Sequence, residues 1–534
     1  MKHLYIKAIY LLCLVIGIGL TSCNEEEFLN RPPEDRLAAD NFFKSAKDLR
    51  LATAPLYNIV WFDFHNRAIL PIGEARGGNI KATWMYGSWE VFSLTSLDGN
   101  LRDAWTSFHN VIGQSNIIMH SIEDNSSGVT DQEKNAAIAE ARFMRATAYF
   151  YLVRAWGPVI IIENNEELLK DPLVRTNRVE DVYEFIIRDL KFAAEHLPTS
   201  DEPGRVTQWS AKGLLAKVFL ARSGYNNGGS RKQSDLESAM SYASDVYNNS
   251  GLTLLENYSD LFRYQFKNNQ ESLFSLQWVP NGGWLVGNTL VSDLAHSKDV
   301  LGGANGWSST IASYDMIKSY EPNDTIRRNA TWMTAGTHYP NINKASGGYT
   351  FPVNDTTRAT IKKYIPGSTA DNDGAFVGTQ SSPLTTYMLR LADVYLTYAE
   401  AALGNNQTLS SGAGLEAFNK VRARAGMPAK SSITFEDIMY ERRVELAMEA
   451  QFWYDLVTWH YFKPNYIINF INNQERGLAY TYHKDANHNL IVKPDGVVNP
   501  KVVVSDADMR LPYPESEVVQ NPKLKEEPVP YYKN

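Results

Sequence analysis

A chain of 534 residues, 44% of them hydrophobic, can bury a sizeable core, and on length alone it could form several domains. Its 52 basic and 60 acidic residues leave a formal charge of −8 with no concentrated Lys/Arg stripe, which argues against a nucleic-acid partner. The only two cysteines, Cys13 and Cys23, lie near the N-terminus, so the rest of the chain has neither a disulfide framework nor a cysteine nucleophile and must be stable through packing.

The N-terminus has a basic start (Lys2, Lys7), an apolar run from Ala8 to Leu20, and then Leu20-Thr21-Ser22-Cys23. This is the pattern of a bacterial lipobox, in which the chain is cut before a cysteine that carries diacylglycerol. The apolar run is too short to cross a bilayer, which takes ~20 helical residues. Residues 1–22 are therefore expected to be a lipoprotein signal peptide, with 23–40 a flexible acidic leader lipidated at Cys23. Acyl chains bury about 0.8 kcal/mol per CH₂, so several of them make a persistent membrane anchor.

Between Arg76 and Trp89 the chain holds Asn79, Lys81, Trp84 and Tyr86, with Gly77-Gly78 and Gly87 breaking any helix. Amphipathic spacing then predicts a helix from Asp131 to Trp156, with a stripe at Ala141, Met144, Ala148, Leu152 and Ala155, ended by Gly157-Pro158. Further helices are predicted over Val179–Leu197, Trp209–Arg222 and Leu236–Asn248, joined by short polar turns. Small residues recur where helices would touch, as in tetratricopeptide-type antiparallel pairs, though without a clean repeat period. Trp105 and Trp156 fall at helical positions and are expected in the core.

From about Leu252 to Thr386 the chain is rich in Gly, Asn, Ser and Thr and dotted with aromatics: Trp278, Trp284, Trp307, Trp332, Tyr339 and Tyr349. One strand is predicted over Ser272–Val279. A long irregular insertion of this kind is more often a binding surface than filler. Helical patterning returns over Leu389–Leu403, Gly414–Ala425 and Phe435–Trp459. The fold class expected is mostly α: helical pairs forming a scaffold, with a loop-rich central insertion containing a few short strands. Residues 41–534 are expected to form one domain, divided into an N-terminal scaffold (41–251), the insertion (252–387) and C-terminal helices with a tail (388–534).

Catalytic signatures are weak. Glu441, Glu445 and Glu449 fall on one helical face, whereas glycoside hydrolysis needs two carboxyls flanking the scissile bond, so salt bridges to other helices are the better expectation. The ten histidines are scattered without HExxH, His483 and His488 form an isolated polar-loop pair, and Asp371-Asn372-Asp373-Gly374 lacks the other positions of a calcium loop. No catalytic residue, metal or cofactor is expected.

The remaining motifs resemble one family. Glu140-Ala141-Arg142-Phe143-Met144-Arg145-Ala146, running on to Trp156-Gly157-Pro158-Val159, is similar to the signature helix of the SusD/RagB-like outer-membrane nutrient-binding lipoproteins. Gly204-Arg205-Val206-Thr207 with Ala211–Leu220 is similar to a second family segment, and Leu389 to Val394 with Tyr398-Ala399-Glu400-Ala401 to a third. Asn419, Val421-Arg422, Arg424-Ala425-Gly426, Glu441-Arg442-Arg443 and Glu445 extend the match. Departures are confined to the end, where Glu449–Trp459 lacks the family's glycine and arginines and Glu526-Glu527-Pro528-Val529-Pro530 replaces its closing motif. Partly buried charges persist only when paired, so Arg390, Asp393, Glu400, Arg422, Arg424, Glu441 and Glu445 are expected to form networks between helices.

A sugar offers hydroxyls at its rim and C–H groups on its faces, so aromatic platforms with Asn, Asp and Arg at the edges suit it. Two segments have that composition, giving Arg76, Asn79, Trp84, Tyr86, Trp89, Trp284 and Trp307 as candidate ligand-binding residues. The resemblance implies a non-catalytic surface lipoprotein of the outer membrane that captures oligosaccharide and delivers it to a SusC-like TonB-dependent transporter. A RagB-like peptide-binding role is the alternative, and a lipid-anchored glycoside hydrolase the least favoured.

Overall fold

The computed structural model describes residues 42–354, 358–485, 490–497 and 501–532. Cys23, the segment before it, the leader up to residue 41 and His488 lie outside the described residues. The frame is a run of helices: α1 (Ala46–Thr53), α2 (Gly99–Asn125), α3 (Asp131–Trp156), α4 (Val179–His196), α5 (Gln208–Ser223) and α6 (Gln233–Asn249). After the insertion come α7 (Leu391–Leu403), α8 (Ala413–Arg424), α9 (Phe435–Glu445), α10 (Phe452–His460) and α11 (Pro464–Asn473). From α2 to α6 each helix packs on the next; α7 then lies against α5 and α6 and in turn carries α8 and α9. Among the described residues no helix is long and apolar enough to cross a membrane.

α3 is the keel. Thr130 and Glu133 exchange hydrogen bonds at its start in a capping box, and Gly157, at φ +79°, ends it. The predicted single apolar stripe is too narrow a description, because α3 is buried on nearly all sides from Ala137 to Trp156. Its charged residues are paired accordingly: Glu140 with Arg205 at 2.7 Å and Arg145 with Asp189 at 2.8 Å. Trp105 and Trp156 are in the core, edge to face at 5.3 Å.

Two of the predicted C-terminal helices differ. Leu389 and Arg390 belong to a strand rather than to the helix that follows. The strands that matter for the site are β1 (Ile80–Ala82), β2 (Ser272–Leu276), β3 (Thr310–Ala312) and β4 (Thr386–Arg390). β2 pairs antiparallel with β4 and so ties the start of the insertion to its end. The stretch predicted as one helix over Phe435–Trp459 is broken between α9 and α10, where Met448 (φ +67°) and Ala450 (φ +56°) take left-handed conformations. The break seats Ala450 against Gly73, and the Ala450 amide donates to Glu74 at 2.6 Å.

That seam is held by a buried ionic network. Arg390 bonds Glu271, Glu445 and Glu449 at 2.6–2.8 Å, and Arg424 pairs with Glu271 and Glu445. Arg327 joins Asp324, Glu441 and Glu445, Arg422 pairs with Glu441, and Lys363 pairs with Glu449. Five cations (Arg327, Lys363, Arg390, Arg422, Arg424) therefore face five buried carboxylates (Glu271, Asp324, Glu441, Glu445, Glu449), and Arg422 also reaches the partly exposed Glu321 at 2.9 Å. A second network links Lys217, Asp393, Arg442 and Asp455. The C-terminal departure still docks: the Val529 amide donates to the Thr176 carbonyl and the Arg178 amide to that of Val529.

Candidate functional site

The site is built on the β1–β3 ladder, which joins segments more than two hundred residues apart in sequence. Ala82 pairs with Thr310, and the Thr83 amide then donates to the Ser309 carbonyl at 3.0 Å. Beyond the ladder the Trp84 indole N–H donates to the Trp307 carbonyl at 3.3 Å. Trp84 is 61% exposed, and Trp307 is half-buried beside it.

Trp284 stands on a neighbouring loop. The Val279 amide donates to the Val286 carbonyl and closes a tight turn in which Asn281, Gly283 and Leu285 all have positive φ. The Trp284 ring meets buried Phe62 edge to face at 5.0 Å and is 57% exposed, so one edge is braced while the rest faces solvent. A single turn clamps both aromatic loops. The Asn305 amide donates to Thr379 Oγ1 (3.1 Å), the Gln380 amide to Ser292 Oγ (2.8 Å) and the Asn281 amide to Ser381 Oγ (3.3 Å). Ser292, in the short helix Leu290–Leu294, also accepts the Trp307 amide on its carbonyl at 2.7 Å.

Strain gathers here as well. Tyr86 (φ +68°), Leu285 (+77°), Ser308 (+48°) and Gln380 (+54°) all occupy the left-handed region without being glycine. Such residues cost of order 1–3 kcal/mol each and concentrate at ligand clamps.

Beside the rings lies a polar cluster. Asp293 receives the Ser309 hydroxyl on Oδ1 at 2.9 Å, while its Oδ2, the Tyr86 hydroxyl and the Arg67 Nε have no hydrogen-bond partner among the described residues. Burial raises the Asp293 carboxyl, which the Ser309 hydroxyl and Arg67 partly offset. Burial and then Asp293 also push the Tyr86 hydroxyl up. All three atoms are buried, so the cluster is a set of unpaired polar groups enclosed by the fold. Arg67 and Asp293 were not singled out by sequence reasoning, because each is a lone polar residue outside any motif.

The other candidates lie inside. Arg76 is 3% exposed, with its guanidinium over Phe92 (4.4 Å) and Trp453 (4.7 Å) and a hydrogen bond to the Asp508 carbonyl. Burial pushes that guanidinium down to about 9. Asn79 donates to Glu74 and accepts from Arg443, both at 2.9 Å, and its carbonyl takes the Ser313 amide. Trp89 is fully buried, and Tyr86 is buried too, its hydroxyl included. Trp84, Trp284 and Trp307 are thus the sequence candidates that reach solvent, and Arg76, Asn79 and Trp89 are enclosed by the fold. The buried carboxylates Glu441, Glu445 and Glu449 are each taken up by arginine or lysine.

The chain matches known proteins along most of its length. A family model described as "SusD family" matches residues 215–532, more than half the chain, and one described as "Starch-binding associating with outer membrane" matches residues 78–220. A SusD-like protein of Bacteroides ovatus is 47% identical over 545 residues, 99% of each chain. The starch-binding protein SusD of Bacteroides thetaiotaomicron is 26% identical over 213 residues, 38% of this chain and 36% of its own. A crystal structure solved with xylogluco-oligosaccharide is 50% identical, covers 91% of this chain and 99% of its own, and superposes with a TM-score of 0.86. Signature helices, paired-helix frame and near full-length identity agree, and the chain belongs to the SusD family.

Proposed function

We propose that this protein is a non-catalytic, cell-surface glycan-binding lipoprotein, anchored to the outer membrane through Cys23, that captures oligosaccharide and passes it to a SusC-like TonB-dependent transporter. The observation that carries the reading is the exposure of Trp84 and Trp284, with Trp307 hydrogen-bonded beside Trp84, on loops fixed by backbone bonds. Flat indoles stack on the C–H faces of a sugar. The 50%-identical structure solved with xylogluco-oligosaccharide supports an oligosaccharide ligand. If each stack contributes about 1 kcal/mol beyond its buried area, three rings and a few hydrogen bonds give a Kd of roughly micromolar to millimolar. Weak capture suits handover, because a transporter alongside supplies a high effective concentration.

Isothermal titration against xyloglucan, starch and other oligosaccharides, with peptides in parallel, tests the reading. Saturable heat from one glycan class is expected. Silence from every glycan together with a clear peptide signal would replace it with the RagB-like peptide-binding role.

A further inference from the structure

A cleft of about 620 Å³, within the ~300–1,000 Å³ usual for ligand pockets, opens where the end of α3, the start of α4, α10 and the segment 506–510 meet. It shares no residue with the loops that carry Trp84, Trp284 and Trp307. Arg154 lies in its wall and is only 2% exposed. Its Nε donates to the Phe150 carbonyl at 3.0 Å, and its guanidinium lies 3.7 Å from the Phe150 ring centre and 4.7 Å from that of Tyr454. Among the described residues no hydrogen bond to either Nη and no ion pair involves Arg154.

The charges around it leave it without a counterion. Lys217, Arg442 and Arg231 are matched by Asp393, Asp455 and Glu400 at 2.6–2.9 Å, three cations against three carboxylates, and Arg154 is a fourth cation. A buried cation persists when something compensates it, and the rings of Phe150, Tyr454 and, at 5.2 Å, Tyr151 do so only in part. Arg510 adds a second guanidinium at the rim: it packs on Gly157, where a Cβ would sit 3.0 Å from its Nε, and it interacts with the Tyr225 hydroxyl. The one carboxylate lining the cleft, Asp506, is engaged by His460 at 2.7 Å.

We propose that this cleft is a second ligand site, for a small hydroxylated carboxylate of the hexuronate type. The carboxylate would bond the free edge of the Arg154 guanidinium, the planar pairing that makes arginine–carboxylate bonds strong and directional. Tyr225 and Asn226 then offer partners to the hydroxyls. The site stands independently of the glycan platform.

Titration of the full protein with glucuronate, with glucose and acetate as controls, tests it. Glucuronate is expected to bind at one site with a Kd of roughly millimolar, acetate to compete, and glucose to give no signal. Arg154→Gln should weaken glucuronate at least tenfold. Because that residue is in the interior, Arg510→Gln at the rim serves as the second variant: a loss of threefold or more is expected, with an unchanged melting temperature and unchanged oligosaccharide capture. Equal heats from glucose and glucuronate, no glucuronate signal, or binding undiminished in folded Arg510→Gln would overturn the proposal.

Discussion

Glu445 is the carboxylate on which three arginines converge: Arg327, Arg390 and Arg424 all bond it, and it is fully buried. Glu445→Gln keeps the shape and removes the charge, so three buried arginines lose a shared counter-charge. Burial opposes ionisation of this carboxyl, but Arg424, Arg390 and Arg327 outweigh it and hold it down to about 2, against an ordinary 4.5. At about 1.36 kcal/mol per pKa unit, that gap corresponds to about 3 kcal/mol at neutral pH. Breaking a buried ion pair by removing one partner costs about 3–5 kcal/mol, which agrees. The sign follows from the lowered value: the contribution is complete above the unfolded pKa and fades as the pH falls toward the folded one. Denaturant unfolding of wild type and Glu445→Gln should therefore differ by about 3–5 kcal/mol at neutral pH and by only about 2 kcal/mol near pH 3.5. A difference below about 1 kcal/mol at neutral pH, or one that widens on acidification, would refute the reasoning.

Two smaller changes probe the loops and the seam. Leu285→Gly removes a left-handed leucine that costs about 1–2 kcal/mol, yet frees the turn that presents Trp284. Stability should hold or rise slightly while oligosaccharide affinity falls several-fold by titration; unchanged affinity would mean the turn's rigidity is irrelevant to capture. Gly73→Ala places a Cβ 2.4 Å from the Cα and Cβ of Ala450, so overpacking of about 1–3 kcal/mol or more should appear as a lowered denaturation midpoint. An unshifted midpoint would show that the seam yields there.

The scaffold was legible because its punctuation is local. Gly157-Pro158 follows directly on the last residue of α3 and stops it. Pairing of Arg390, Asp393, Glu400 and Glu445 was legible for a different reason, since charges set among apolar helix neighbours must find partners. The strand at Leu389–Arg390 was not legible, because its partners Phe274 and Ser272 lie far away in sequence and the segment carries helix-like spacing. Nor does local sequence announce the left-handed Met448 and Ala450; contact with Gly73 and Glu74 imposes them. Composition marked both aromatic loops but could not tell inward rings from outward ones. Trp84 and Trp89 are five residues apart, yet the first is exposed and the second fully buried.

The proposed glycan site rests on three indoles, Trp84 and Trp284 exposed and Trp307 half-buried. Trp84→Ala, Trp284→Ala and Trp307→Ala, each titrated with the oligosaccharide that the wild type binds and each melted in parallel, test this most directly. Affinity should drop at least fivefold for Trp84 and Trp284, about 1 kcal/mol each, with melting temperatures close to wild type. Undiminished affinity in all three variants would contradict the account, as would losses that merely track a collapse in stability.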